Sequence, residues 1–131
     1  MKNAFKKIMQ SLLWTTPYLL GGFSAPFIFR AASTPQMGGR FAGTLFILAG
    51  AWSLWLARKH HYGMKTRCYL IFVFVLELVF WSWRFFNSLP MRQAYLLGFT
   101  GTQWHAVLTS LYLMTAFVLL ISEFKRVATA A

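Results

Sequence analysis

Acids, bases and nucleophiles are scarce in this chain. It has two carboxylates, Glu77 and Glu123, and three histidines, against 13 lysines and arginines. Glu77 lies at the middle of Tyr69–Phe86 (YLIFVFVLELVFWSWRFF), with Arg84 two turns further on. As a helix this stretch is about long enough to cross the roughly 30 Å hydrocarbon core of a bilayer. An acid at that depth costs a few kcal/mol unless it is neutralised or partnered. Glu77 is therefore the most informative position in the chain.

Helical projection places Leu70, Val73, Phe74, Phe80, Trp81, Arg84 and Ser88 within about 60° of Glu77, so Glu77, Arg84 and Ser88 form one polar seam. On the next apolar stretch the same projection aligns His105, Thr109, Tyr112, Ala116 and Glu123. If the two helices run antiparallel, Tyr112 lies at the depth of Glu77 and His105 at that of Arg84. The expectation is that the seams face each other, with the Tyr112 hydroxyl hydrogen-bonded to Glu77 and Arg84 on the outer side. Glu77, Arg84, His105, Thr109 and Tyr112 are the candidate binding residues. Glu77 then serves either as a proton- or cation-binding acid or as polar glue that fixes helix register or grips a neighbouring subunit. Working transporters usually show more than one ionisable group in the membrane, which favours the glue.

The other reactive side chains are read more plainly. His60 and His61 are adjacent and would point about 100° apart on a helix, with no acid or Cys at ligand spacing. They belong to a solvated basic loop, and no metal is expected. The lone Cys68 is a bystander, and Glu123 pairs with Arg126 at the i,i+3 spacing. Arg30, Arg40 and Arg92 contact anionic headgroups or a partner's acids, or anchor helix ends by snorkelling. No nucleophile motif, phosphate loop, acid–base pair or paired haem histidines is present, so neither enzymatic activity nor a cofactor is expected.

The elements that must position these residues follow from composition. At 58% hydrophobic and 11% charged, the 131-residue chain is too apolar for a soluble domain. Its net charge of +11 lies in short clusters flanking apolar runs. Such clusters encode membrane topology rather than nucleic-acid binding. The expected fold is all-α: one integral membrane bundle of four transmembrane helices, spanning approximately 8–29, 41–57, 69–86 and 104–122. The first resembles a secretory signal, but Pro26 directly after the candidate site Phe23–Ser24–Ala25 argues against cleavage. It is read as a retained span, kinked or broken at Pro17, Gly21–Gly22 and Pro26. Residues 30–40 read as a turn-rich loop, Ala49, Ser53 and Ala57 as a small-residue ridge, and Pro90–Leu97 as a short interfacial helix.

Four spans put all six lysines and nine of the 13 basic residues on the side of the termini. The positive-inside rule places that side in the cytoplasm. The bias also disfavours a dual-topology transporter. The functional expectation is a non-enzymatic bacterial inner-membrane protein that binds another membrane component through its helix faces, as an accessory or assembly subunit or an immunity-type protein. The alternative is a small parallel-oligomeric transporter or channel coupled through Glu77. Membrane lipids and a membrane protein, or further copies of this chain, are the expected partners, and nucleic acid is not.

Overall fold

Long apolar segments set where this chain is helical, and a few polar residues set where each helix begins and ends. The computed structural model describes residues 2–87 and 93–130. The described residues form four helices: α1 (Lys2–Ala31), α2 (Pro35–Lys59), α3 (Met64–Phe86) and α4 (Gly101–Ala130). Two-residue strands β1 (Tyr95–Leu96) and β2 (Phe99–Thr100) precede α4. Met37–Lys59, Met64–Phe86 and Gly101–Thr129 are long and apolar enough to cross a membrane, which marks a membrane protein. Helix α1 is as long as α4, yet Gln10, Ser11, Thr15, Thr16 and Ser24 dilute its apolar character and it is not among the three.

Helix α1 runs without interruption through Pro17, Gly21–Gly22 and Pro26, so the broken helix offered as one alternative does not form. Its serine and threonine hydroxyls at Ser11, Thr15, Thr16 and Ser24 are satisfied on their own helix. Ser11 donates to the Lys7 carbonyl at 3.1 Å, Thr15 and Thr16 to that of Leu12 at 2.9 and 2.8 Å, and Ser24 to that of Gly21 at 3.3 Å. Such back-bonding lets polar side chains sit inside a helical assembly without external partners.

The connections are shorter than the sequence reading implied. Thr34, in extended backbone, accepts from the Met37 amide at 3.1 Å while Pro35 opens α2. This pairing of a capping hydroxyl with proline in the first turn starts the helix inside the supposed 30–40 loop. After α2, His61 takes a positive φ of 53° and the Tyr62 amide reaches back to the Ala57 carbonyl at 3.0 Å. That is the six-to-one bond of a Schellman turn. Before α4, Leu97 and Gly98 have φ of 53° and 84°, the two positive values a type I′ hairpin turn requires. Tyr95 pairs with Thr100 and Leu96 with Phe99 across it. This hairpin replaces the interfacial helix expected over Tyr95–Leu97; Pro90–Arg92 lie outside the described residues. Thr100 and Gln103 then form a reciprocal capping box, each side chain accepting from the other's amide at 3.2 and 3.0 Å.

Helix α1 packs on α2 and α2 on α3, whereas α4 leans mainly on α1 and touches α3 over a shorter length. The ridge of Ala49, Ser53 and Ala57 is buried, and a Cβ on Gly21 would stand 3.3 Å from that of Ala49. Glycines elsewhere on α2 seat aromatic rings of α3. An added Cβ would come within 2.8 Å of Trp81 at Gly43 and 2.6 Å of Phe74 at Gly50. On α3 the buried face is Leu70, Val73, Glu77, Phe80, Trp81 and Arg84.

Candidate binding site

Helices α1 and α4 are joined by two tyrosines. The rings of Tyr18 and Tyr112 stack with centroids 4.3 Å apart and planes 10° from parallel. Each hydroxyl donates to the other residue's backbone carbonyl, Tyr18 to Tyr112 at 3.3 Å and Tyr112 to Tyr18 in return. The Tyr112 ring lies over Gly22, where a Cβ would overlap it. Phe46 meets Tyr112 edge-on at 5.0 Å and stacks on Trp81 at 5.3 Å. Beside this clasp lies a cleft of about 410 Å³, within the ~300–1,000 Å³ common for small-ligand sites. Its walls are largely apolar, from Leu19, Phe23, Phe46, Leu113, Phe117 and Leu120, with Arg30, His105, Thr109 and Tyr112 as its polar lining.

Three of the five sequence-predicted binding residues therefore share one cleft. Tyr112 is buried, while His105 and Thr109 stand exposed on the wall, and the His105 ring meets Trp81 edge-on at 6.3 Å. Arg30, read in the sequence as a headgroup or partner contact or a helix-end anchor, also lines the cleft. Glu77 and Arg84 do not line the cleft. They face inward on α3, 1% and 2% exposed.

The Tyr112–Glu77 hydrogen bond does not form, because the Tyr112 hydroxyl is taken by the Tyr18 carbonyl and α4 packs chiefly on α1. The expected link between the two polar seams is therefore missing at Glu77 and Tyr112, and Ser88 lies outside the described residues. Among the described residues Glu77 Oε1 has no hydrogen-bond partner, and Glu77 shares no salt bridge with Arg84. The Arg84 guanidinium lies 5.9 Å from the centre of the Trp83 ring. Arg40 ties α2 to the end of α3, donating from Nε to the Phe85 carbonyl at 3.2 Å and standing 4.7 Å over the Phe85 ring. Arg92 lies outside the described residues.

A second cluster went unread in the sequence. Glu123 is fully buried, and its Oε1 accepts from the Tyr62 hydroxyl at 2.5 Å and lies 2.5 Å from His60 Nδ1. Its Oε2 accepts from Arg126 Nη2 at 2.9 Å. His60 is thus not solvated: the Schellman turn folds it inward, leaving its side chain 9% exposed. Burial, and then the hydrogen bond to Glu123, pushes the Tyr62 hydroxyl well above the ordinary phenol range, so it remains a donor at neutral pH. Nearby, Lys59 Nζ stands 4.1 Å over Trp14 and 4.7 Å over Trp55, and Trp52 Nε1 donates to the Trp14 carbonyl at 2.7 Å. The sequence signal was the scarcity of acids. The i,i+3 spacing explained only Arg126 and so hid two further partners.

The fold and the cleft define a helical membrane protein with a largely apolar recess that carries a cationic residue on its rim. Among the described residues no group of three or more His, Cys, Asp or Glu is placed to hold a metal ion. No family model matches the chain, and neither a curated protein nor a solved structure does.

Proposed function

We propose that this chain is a four-span protein of a bacterial inner membrane, with both termini in the cytoplasm, that works by binding another membrane component through its helix faces. An accessory or assembly subunit, or an immunity-type protein, is the role it fits. The observation that carries the reading is how little of the apolar surface the protein covers for itself. In an apolar 18-residue stretch of each of the three membrane-capable helices only 44%, 33% and 28% is buried within the protein, and large side chains such as Phe72, Phe117 and Ile121 stand exposed. Lipid or a partner's helices must cover the remainder. Helix α1 serves as the fourth span, since its 30 residues reach about 45 Å and its Ser11, Thr15, Thr16 and Ser24 hydroxyls are satisfied within the helix.

A second reading has its own support. Glu77 is enclosed at the middle of α3 with Oε1 unmatched, and an enclosed acid of that kind suits a small parallel-oligomeric transporter or channel. One pair of measurements separates the two. Purification in mild detergent is expected to retain a foreign membrane subunit in fixed stoichiometry, and proteoliposomes of the chain alone are expected to show no flux. Recovery of self-copies only, with flux present in wild type and lost in Glu77→Gln, would overturn the binding role in favour of transport.

A further inference from the structure

Carboxylates are in short supply in this chain, and both are already placed. Glu123 is engaged by Tyr62, His60 and Arg126, and Glu77 is enclosed on the inner face of α3. Arg30, exposed in the last turn of α1, forms no ion pair among the described residues. Any anion that meets it comes from outside the chain.

Tyr112 lies over Gly22, and Trp14, His60 and Glu123 meet at one end, so α1 and α4 run antiparallel. Arg30, about two turns beyond Gly22, therefore falls on the His105 side of the cleft, with Leu113, Phe117 and Leu120 toward the other. From His105 to Leu120 the rise along α4 is about 22 Å, more than the roughly 15 Å of hydrocarbon in one leaflet. A cationic, hydrogen-bonding mouth that opens into an apolar trough one leaflet deep matches an amphiphile with an anionic head.

We propose that the cleft between α1 and α4 holds one acyl chain of an anionic phospholipid, with its phosphate against Arg30 and within reach of His105 and Thr109. The inference rests on the membrane-embedded reading above and names one of the components that the helix faces bind. The phosphate receives charge-assisted hydrogen bonds from the guanidinium, while the chain replaces lipid contacts along Leu113, Phe117 and Leu120.

The test is native mass spectrometry of the full chain in neutral detergent, titrated with phosphatidylglycerol and with phosphatidylcholine of the same acyl chains. One phosphatidylglycerol is expected to bind about tenfold tighter than phosphatidylcholine. Arg30→Gln, at an exposed position, is expected to abolish that preference and Arg30→Lys to keep most of it. Thr109→Trp, which fills the cleft, is expected to weaken both lipids. Lys65→Gln, exposed in the first turn of α3 at the opposite end of the molecule, is expected to change nothing. Equal binding of the two lipids by the wild-type chain, a preference that survives Arg30→Gln, or an equal loss in Lys65→Gln would overturn the proposal. A failed search for a foreign subunit leaves this titration unaffected, and the reverse also holds, so the two readings fall separately.

Discussion

Glu123 and Glu77 are both buried acids, but their surroundings differ. Glu123 is held by three side chains from two separate parts of the chain, whereas Glu77 Oε1 has no hydrogen-bond partner among the described residues. A hydrogen bond to a charged group is worth about 1.5–3 kcal/mol. Tyr62→Phe should therefore lower stability by about that amount, seen as a lower midpoint in tryptophan-fluorescence unfolding in detergent. An unchanged midpoint would show that the hydroxyl does not hold the carboxylate. The burial of Glu77 and Arg84 was legible beforehand, because the 3.6-residue period assigns them to one face with Leu70, Val73, Phe80 and Trp81. The burial of His60 was not. It depends on a left-handed residue at position 61, and no glycine marks the place.

That turn is also where an element can be tested. A residue other than glycine in the left-handed region costs about 1–2 kcal/mol, and His61 is exposed with φ of 53°. His61→Gly is expected to raise stability by up to about 1 kcal/mol, after allowing for glycine's greater freedom in the unfolded chain. The same unfolding measurement reads it, and a lowered midpoint would mean that the His61 side chain makes a contact the turn needs. Other element boundaries were written in the sequence but overshadowed. Thr34–Pro35 and Thr100–Gln103 are start signals, yet Gly38–Gly39, Pro90 and Gly98 drew the reading toward loops and a short helix. The face of α4 was partly legible too, since Tyr112, Ala116 and Glu123 are buried as aligned. Its neighbour was not. Periodicity says which side turns inward but not against which helix; here the Tyr112 ring lies over Gly22 of α1, where a Cβ would overlap it.

For the whole molecule, the charge distribution is the quantity to probe. The contacts of Lys59 with Trp14 and of His60 with Glu123 gather the basic end of α2, the first half of α1 and the last turns of α4 at one end. Arg30, Arg40 and Arg84 belong to the opposite end, consistent with the alternation of helix direction that the contacts imply. A C-terminal fluorescent-protein fusion is accordingly expected to be bright and a C-terminal alkaline phosphatase fusion inactive; the opposite pattern would invert the proposed orientation. The tyrosine clasp bears on how such a molecule is made. Its two residues stand 94 positions apart, so α1 can close on α4 only after three helices have been made. Until α4 arrives, the nascent chain must keep the bare face around Gly22 covered by lipid or by an insertase, and a product truncated before Tyr112 would remain permanently unlatched.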